Sequence, residues 1–383
     1  MNKQKFNIKT KVYNYLNLLK VVALLNEKER RVLLLLKENP YYGQQEMAEI
    51  LNISRPTLAN IISSLIKRGE IVGRGYVLKE HNEIIAIGGA NVDRKFRIEG
   101  AEQLGTSNPA SVTYSVGGVA RNIAENLGRL QHNVQLVTTF GQDYDMELIK
   151  SESSTYMKFD YAETIHNETT GSYTAVLNGD GELVIAMANM SIYDQLTPAL
   201  LKRHEVAFTK TKLIVIDLNC PRETVNYFKT LAQVNNIPLC IVPVSSPKMT
   251  RMPDDLNGVT YFICNRDEAE TYLSMKIETD EHYEEACKRL RQLGATYVII
   301  TRGAKGVIAA SCDSIITYAA IPVTEVVDVT GAGDAFVSAF LHGMLEVHDF
   351  ERAIELGLVN ASRTLQSYET VRLELAIDEL ITN

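Results

Sequence analysis

Short, wholly apolar runs that alternate with longer helix-like stretches are the feature that most constrains the fold of this chain. Strand-length runs of this kind lie at 84–87, 213–216, 239–242 and 297–300. A strand that is apolar on both faces has to be covered on both faces, which is typical of a parallel sheet between two layers of helices. We therefore predict an α/β domain with a doubly wound, mostly parallel sheet over residues 83–383.

Two segments of the same region alternate polar and apolar residues instead, near 94–115 and 170–187. The second contains the sequence Asn178-Gly-Asp-Gly181, which is a strong hairpin signal. Half-buried antiparallel strands beside a doubly wound sheet predict a small β lid over the active site.

Residues 26–80 show a different pattern, with three short helical segments and a hairpin. Asn26 and Ser54 stand where N-caps of the first and third helix are expected, and Gly69 ends the third. Two short helices around a three-residue turn, followed by a wing over residues 70–78, resemble the winged helix-turn-helix domain of bacterial transcription regulators. A small helical dimerisation module is the alternative for the same pattern.

The resemblance places the second helix of the pair in the DNA major groove, with its N-terminal residues at the base edges. The candidates for base contacts are Arg55, Thr57, Asn60 and Ser63. The candidates for phosphate contacts are Lys67, Arg68 and Arg74.

Charge is distributed unevenly between the two parts of the chain. Residues 1–80 carry 14 Lys and Arg against 7 Glu, a balance of +7, whereas the remaining residues have a balance of −15 within a total of −8. A basic N-terminal part followed by an acidic remainder suggests that residues 1–80 bind a polyanion and that the remaining residues do not. Solvated surface lysines produce the same charge pattern. Operator DNA is therefore the candidate partner of residues 26–78.

The cysteines and the N-terminal residues bear on the cellular compartment of the protein and on whether it associates with a membrane. Five scattered cysteines form no C-x-x-C pair, so neither a disulfide framework nor a zinc site is indicated, and a reducing, cytoplasmic compartment is expected. The apolar stretch at 16–25 is interrupted by Lys20 and is shorter than the roughly 20 residues of a membrane span. Residues 1–25 are interpreted as an N-terminal extension without an assigned role, and no membrane partner is expected.

The sharpest motif is Asp328-Val-Thr-Gly-Ala-Gly-Asp334, directly before a helix-like segment. A Gly-x-Gly ahead of a helix lets backbone N–H groups converge on an anion, and the helix dipole adds positive potential there. Because the motif lacks Lys and Arg, it is not a Walker-type phosphate loop. Asp334 is placed where a carboxylate accepts the proton of an attacking hydroxyl. An Asp that only caps the helix is the alternative.

This string closely resembles the second signature of the ribokinase-like (PfkB) carbohydrate kinases. The resemblance implies that Asp334 is the catalytic base and that the backbone N–H groups of Gly331, Ala332 and Gly333 stabilise the transferred group. It also implies a ribokinase-like fold.

Two earlier elements of the chain match the substrate-binding pattern of that family. The sequence Asn91-Val-Asp93 follows the first strand and fits the N-x-D element, and Gly117-Gly-Val-Ala-Arg-Asn122 fits the G-G-x-x-x-N signature. The resemblance implies that the sugar is bound by Asn91, Asp93, Gly117, Gly118 and Asn122.

Later elements match the nucleotide and metal pattern of the family. Asn265 and Glu268 fit an N-x-x-E element that organises Mg²⁺ through water, and Thr301, Gly303 and Gly306 fit a turn that lines the ATP site. The resemblance further places Asn360 near the adenine. Asp328 and Thr330 match residues that help to bind K⁺ in potassium-activated members, or they only shape the turn. The implied cofactors are ATP and Mg²⁺, and K⁺ stays open.

The resemblance covers residues 83 to about 375, and the pseudouridine kinase subgroup fits best. The runs that resemble this subgroup are 107–109, 115–124, 170–173 and 188–190. There is one departure, because the subgroup usually has D-P-V-S after a central strand and this chain has Val242-Pro-Val-Ser245. If the missing carboxylate serves magnesium or the fold, activity would be lower.

The resemblance therefore implies an ATP-dependent kinase that phosphorylates the 5′ hydroxyl of a ribosyl substrate, with pseudouridine as the expected acceptor. Two other functions stay open. One is a transcription regulator whose kinase-like body only senses a sugar or nucleoside, and the other is a ribokinase or another sugar kinase of the family. Each has a small-molecule nucleoside or sugar as its partner, and a homodimer stays open as the assembly.

Overall fold

The computed structural model describes residues 25–39, 42–71 and 83–381. They belong to two compact units, one within residues 1–81 and the other within residues 82–383. The predicted N-terminal extension lies outside the described residues apart from Leu25, and so does nearly all of the predicted wing, including Arg74. The predicted domain boundaries stay a prediction.

The described residues of the first unit contain three helices, α1 (Glu27–Glu38), α2 (Gln44–Leu51) and α3 (Arg55–Lys67). They enclose a small apolar core whose fully or almost fully buried members include Leu36, Met47, Leu58 and Leu65. These are the helices that the sequence predicts.

Local capping explains where these helices begin. Asn26 and Glu29 form a reciprocal capping box at the start of α1, with both hydrogen bonds at 3.0 Å. The Ser54 hydroxyl accepts a hydrogen bond from the Thr57 backbone N–H at 3.3 Å at the start of α3. Both caps are those expected from the sequence.

The second unit is an α/β domain. Its first elements are β1 (Glu83–Ile87), β2 (Asn91–Ile98), β3 (Ala110–Gly117), α4 (Val119–Arg129), β4 (Asn133–Val137), β5 (Thr139–Phe140), α5 (Tyr144–Ser153), β6 (Glu163–Thr164), β7 (Ser172–Leu177), β8 (Leu183–Asn189), α6 (Pro198–Leu201) and α7 (Glu205–Phe208). The remaining elements are β9 (Leu213–Asp217), α8 (Arg222–Asn235), β10 (Leu239–Val242), β11 (Tyr261–Asn265), α9 (Arg266–Leu273), α10 (Asp280–Gln292), β12 (Tyr297–Thr301), β13 (Val307–Ala310), β14 (Ile315–Tyr318), α11 (Ala332–Glu346), α12 (Phe350–Thr364) and α13 (Ile377–Ile381).

An eight-stranded sheet forms the centre of this domain, in the order β14-β13-β12-β11-β10-β9-β1-β4. The strands from β12 to β4 are parallel, which confirms the predicted mostly parallel sheet. The edge strands β13 and β14 pair antiparallel, a feature that the sequence analysis missed. A short turn between β12 and β13 leaves no room for the crossover helix that a parallel pair needs.

The two faces of the sheet are both buried, which explains the wholly apolar strands. In β1, Ile85 and Ile87 pack into one core cluster. Ile84 and Ala86, which point to the opposite face, pack into another.

A second sheet of four strands has the order β3-β2-β7-β8. The strands β7 and β8 form the predicted hairpin around Asn178–Gly181, where the Asn178 backbone N–H donates to the Glu182 carbonyl at 2.9 Å. The central pair β2 and β7 is parallel rather than antiparallel as expected. The role of this sheet as a lid stays a prediction.

Two expectations from composition can be compared with the described residues. The five cysteines are free; Cys220, Cys240, Cys264 and Cys287 are buried, whereas Cys312 is exposed. None of the helices in the described part of the chain is long and apolar enough to cross a membrane.

Candidate active site

The predicted N-x-D and G-G elements lie side by side at the start of the four-stranded sheet. Asn91 is the first residue of β2, and its side-chain amide donates to Asp93 Oδ1 at 2.6 Å. Across the β2–β3 pair, Asn91 is the register partner of Gly117. A methyl group on Gly117 would lie 2.5 Å from Asp93 Oδ2, so glycine leaves the Asp93 carboxyl group its space.

Gly118 allows helix α4 to begin against the loop that follows β1. Its φ of +102° lies in the region that favours glycine, and a Cβ atom there would lie 2.4 Å from the Gly89 carbonyl oxygen. The Arg121 backbone N–H donates to that same carbonyl at 3.2 Å. The predicted substrate elements are therefore joined by backbone contacts.

Asn122 connects these elements to the predicted base. Its side-chain amide donates to Asp334 Oδ2 at 2.8 Å, although the two residues are 212 positions apart. Helix α11 begins at Ala332, so Asp334 lies in its first turn, where it is half-buried. The N-cap Gly331 has a φ of +80°, and a Cβ atom there would lie 2.2 Å from the Thr370 carbonyl oxygen. The structure thus brings Asn122, Asp334 and the Gly331–Gly333 backbone together.

Burial shifts the acidity of both carboxyl groups in this cluster. It raises the pKa of Asp334 to about 7, assisted by the nearby Asp217 carboxylate and opposed by the hydrogen bond from Asn122. It also raises the pKa of Asp93 to about 6, against the effect of Lys95 and Asn91. A carboxyl group with a pKa near neutral pH is suited to general base catalysis.

Asp217, which was not among the predicted site residues, connects two of the segments that form the site. It is buried at the carboxyl end of β9, and its Oδ2 accepts hydrogen bonds from the backbone N–H groups of Gly89 and Ala120, each at 3.0 Å. Asn219 donates through its backbone to Oδ1 at 2.8 Å and through its side chain to Oδ2 at 3.1 Å. All four partners are donors, so an ionised carboxylate satisfies them and ties the loop after β1 to the start of α4.

A signal for Asp217 exists in the sequence. It is a carboxylate at the end of an apolar strand, and ligand sites in open α/β sheets lie at the carboxyl ends of strands where the strand order reverses. That reversal occurs between β9 and β1. Tyr193, whose hydroxyl is buried against the Ala90 backbone, had no comparable signal because it comes from a short 3₁₀ helix, Ser191–Gln195, outside the strands and motifs.

The departure at Val242 lies next to Asp217. Val242 is buried and is the register partner of Asp217 across the β9–β10 pair. The ammonium group of Lys248 donates to Asn219 Oδ1 at 2.7 Å. At this point of the sheet edge, the carboxylate therefore belongs to Asp217 at the end of β9, and β10 ends with the apolar Val242.

Apart from Asn360, the predicted nucleotide residues lie at and after the carboxyl end of β12, along the same edge of the sheet. Thr301 ends β12 and is the register partner of Asn265, which ends β11. Gly303 and Gly306 form the turn after Thr301, where the Gly306 backbone N–H donates to the Gly303 carbonyl at 3.0 Å.

The predicted magnesium residues form the N-terminal cap of α9. Glu268 N donates to Asn265 Oδ1 at 2.9 Å, and Asn265 N donates to Glu268 Oε2 at 2.8 Å. Glu268 is buried, which raises the pKa of its carboxyl group. The described residues contain no group of three or more His, Cys, Asp or Glu that would hold a metal. This donor set fits Mg²⁺ that is bound by phosphates and water rather than by a protein cage.

Asn360 is fully buried on α12, and its side chain is occupied within the protein. Its amide donates to Asn126 Oδ1 at 3.1 Å and to the Ala335 carbonyl at 3.0 Å. Its oxygen accepts a hydrogen bond from Arg372 at 3.0 Å. These contacts give Asn360 a structural role beneath α11, and its predicted role near the adenine stays a prediction.

Asp328 and Thr330 shape the loop before α11. The Thr330 backbone N–H and hydroxyl donate to Asp328 Oδ1 at 2.8 and 2.7 Å. Asp328 Oδ2 accepts a hydrogen bond from Lys95 of the four-stranded sheet at 3.1 Å. Lys95 was not among the predicted site residues.

Comparison with known proteins decides the family. The model of the pfkB family carbohydrate kinases matches residues 81–375, which contain every predicted catalytic, substrate and nucleotide residue. The chain belongs to the PfkB family of carbohydrate kinases. This PfkB kinase is accordingly a phosphotransferase with an alcohol group as acceptor, acting on a sugar or nucleoside.

Relatives and solved structures agree with this assignment. The PfkB kinase is 27% identical over 339 residues to the uncharacterized sugar kinase YeiI of Escherichia coli (strain K12), covering 88% of this chain and 93% of the relative. It is also 27% identical over 306 residues to the pseudouridine kinase of the same strain, covering 80% and 97%. The structure of Arabidopsis thaliana ribokinase complexed with ribose and ATP has the same fold, with a TM-score of 0.69 at 20% identity over 80% of this chain and 100% of that one.

The first unit matches a second family model, winged helix-turn-helix DNA-binding, over residues 25–72. Among its DNA-contact candidates, Arg55, Asn60, Ser63 and Lys67 are exposed on α3. Thr57 is half-buried, and its hydroxyl lies 2.7 Å from that of Ser54. The guanidinium group of Arg68 pairs with Glu29 at 2.6 Å, so part of its charge is already neutralised.

Proposed function

We propose that this PfkB kinase transfers the γ-phosphoryl group of ATP to the 5′ hydroxyl of a ribosyl substrate, with pseudouridine as the preferred acceptor. The observation that carries the proposal is the hydrogen bond between Asn122 and Asp334. It joins the substrate elements to a carboxyl group whose pKa is raised to about 7.

The substrate elements would orient the acceptor. Asn91, Asp93 and Asn122 present amide and carboxyl groups that hydrogen-bond sugar hydroxyls, and the Gly117-Gly118 turn lets the sugar lie close to the backbone. Holding the acceptor in place lowers the entropic part of the barrier. Asp334 then takes the proton of the primary hydroxyl as its oxygen attacks phosphorus.

The first turn of α11 would stabilise the developing charge. The backbone N–H groups of Gly331, Ala332 and Gly333 lie at a helix N-terminus, where N–H groups and the helix dipole favour an anion. Bound ATP with Mg²⁺ supplies the phosphoryl group and shields its charge. Glu268 and Asn265 would hold water around that ion, while Thr301 and the turn Gly303–Gly306 line the nucleotide.

The four-stranded sheet would act as a lid. Asn91 and Asp93 belong to β2 of this sheet, so its movement over the substrate would bring substrate contacts and exclude water at the same time. Exclusion of water prevents hydrolysis of ATP in place of transfer.

Two observations support pseudouridine as the acceptor. The runs at 107–109, 115–124, 170–173 and 188–190 resemble the pseudouridine kinase subgroup. The pseudouridine kinase of Escherichia coli is also among the relatives, and 97% of its length is matched. Ribose is the second candidate because the ribokinase of Arabidopsis thaliana, which holds ribose and ATP, shares the fold.

The test is ADP release from Mg-ATP with a panel of acceptors: pseudouridine, uridine, ribose, adenosine and fructose 6-phosphate. We expect the largest kcat/KM for pseudouridine. A larger value for another acceptor would refute the pseudouridine assignment and leave the kinase assignment intact. Absence of ADP release with every acceptor would count against the catalytic proposal.

We also propose that the first unit binds operator DNA and that the protein is cytoplasmic, where both ATP and DNA are available. The exposed Arg55 and Asn60 on α3 and the winged helix-turn-helix match support DNA binding. A gel-shift assay with the upstream region of the protein's own operon tests it at low salt, where phosphate contacts are strongest. Lack of a shift under those conditions would exclude this role.

A further inference from the structure

An ion pair joins the four-stranded sheet to the loop before α11. Lys95 Nζ lies 3.1 Å from Asp328 Oδ2, although the residues are 233 positions apart. The side chain of Lys95 is 46% exposed and that of Asp328 is 25% exposed. The ion pair is therefore partly exposed and links two segments that are distant in sequence.

The position of Lys95 on β2 points to the site. Successive side chains alternate between the faces of a strand, so Asn91, Asp93 and Lys95 share one face. The first two form a hydrogen-bonded pair within the predicted substrate site. Lys95 is the next residue on this face, and its ammonium group contacts Asp328 in the loop that leads to Asp334.

Both oxygens of the Asp328 carboxylate already have partners, so a further cation would have to share Oδ2 with the Lys95 ammonium group. Oδ1 accepts hydrogen bonds from the Thr330 backbone and hydroxyl at 2.8 and 2.7 Å, and Oδ2 accepts one from Lys95 at 3.1 Å. A K⁺ ion at Oδ2 would lie within a few ångströms of the ammonium group, and like charges at that distance repel. The residues present at Asp328 therefore do not fit a potassium ion.

We infer that the Lys95 ammonium group supplies to the Asp328 loop the positive charge that potassium supplies in potassium-activated relatives, so that phosphoryl transfer by this chain needs no monovalent cation. An ammonium group and K⁺ carry the same charge and are similar in size. Lys95 is thus a positioning residue, which acts on the first turn of α11 through Asp328. The inference rests on the proposed kinase activity.

The experiment compares ADP release by the full chain in about 100 mM KCl and about 100 mM tetramethylammonium chloride, which match in ionic strength. We expect the wild-type rates to agree within about twofold, because an internal charge replaces the ion. Lys95→Met keeps the apolar stem and removes the charge. In tetramethylammonium it should lose at least about tenfold in kcat, and KCl or NH₄Cl should restore most of that loss.

Two further variants control this comparison. Lys95→Arg keeps the charge and should keep the independence from potassium. Arg97→Met changes the next residue on the same face of β2, whose guanidinium group contacts the Gly179 carbonyl rather than the loop, and should behave as wild type in both salts.

Thermal unfolding supplies a readout that does not depend on catalysis. KCl in place of tetramethylammonium should raise the Tm of Lys95→Met by about 2 °C and leave that of the wild type unchanged, because only the variant binds the ion. A wild-type enzyme that requires potassium, or a Lys95→Met variant that is indifferent to it, would overturn the inference. Absence of ADP release in every salt and with every acceptor would count against the kinase proposal instead, and the Tm comparison would still decide the role of Lys95.

Discussion

The enclosed catalytic cluster and the exposed face of α3 use polar residues in opposite ways. Around Asp334, polar groups from distant parts of the chain are buried or half-buried and paired, as in the contact with Asn122 across 212 positions. On α3, the DNA-contact candidates come from one short helix, and Arg55 and Asn60 face solvent. The first arrangement raises the pKa of Asp334 and Asp93, whereas the second presents polar groups to solvent.

This difference in burial indicates which function each region suits. A carboxyl group with a pKa raised by burial can exchange a proton near neutral pH, which is what a catalytic base requires. Exposed side chains on a helix can be presented to a large, rigid partner such as DNA. Changes in the enclosed cluster should therefore alter rate and pH dependence, and changes on α3 should alter only affinity.

The largest expected effect comes from removal of the base. Asp334→Asn should lower kcat by about a thousandfold or more and leave nucleotide affinity nearly unchanged, because the amide cannot accept the proton. Steady-state kinetics and calorimetric titration with ADP measure the two effects. The exposed carboxylate of Asp254 offers a matched control, and Asp254→Asn should keep full activity. Wild-type kcat in Asp334→Asn would refute the assignment of the base.

The pH profile should follow the ionisation of Asp334. Because its pKa is raised to about 7 and only the ionised form accepts a proton, kcat/KM should rise with pH and level off above that value. Each pH unit below the pKa lowers the ionised fraction about tenfold, so activity at pH 5 should be about a hundredfold below the plateau.

An Asn122→Leu variant tests whether the inflection of the pH profile reports the pKa of Asp334. The Asn122 hydrogen bond opposes the rise in pKa, so its removal should move the inflection to higher pH. An inflection near pH 4 in the wild type would show that burial does not raise the pKa of Asp334.

Asp217→Asn should have a smaller effect on rate, by about thirtyfold, because the loop after β1 and the start of α4 lose their shared acceptor and Asn122 shifts. The loss of stability should be about 1–3 kcal/mol, since the new amide leaves a buried donor unpaired. The Asp217 charge contributes to the raised pKa of Asp334, so the pH inflection of the variant should also move lower. An unchanged inflection together with lower stability would reduce Asp217 to a purely structural role.

The smallest expected effect lies on α3. Arg55→Ala should weaken binding to the operator by about tenfold, within the 1–3 kcal/mol that a base contact contributes. Kinase activity of this variant should stay at the wild-type level. Lys67→Ala is the matched phosphate-contact variant, and it should weaken binding to all sequences and reduce the salt dependence. Gel shifts at several salt concentrations separate the two, and a loss of kinase activity in either variant would contradict the separation.

Much of this protein was determined by local sequence. Wholly apolar strands predicted the parallel sheet, because a strand buried on both faces has no other stable environment. Caps such as Asn26 and Ser54 predicted where helices begin, since the groups that satisfy a helix end lie within a few residues of it. The order of the motifs from Asn91 to Asp334 was enough to indicate the family.

Tertiary structure alone decided how the site is held and charged. Asp217 and Tyr193 support the N-x-D loop from segments more than 100 residues away, and Lys95 reaches Asp328 across 233 positions. The raised pKa of Asp334 results from burial and from the Asp217 carboxylate at the end of β9, against the opposing effect of Asn122 on α4. Such effects depend on distance in space and on exclusion of water, which a linear pattern of residues does not contain.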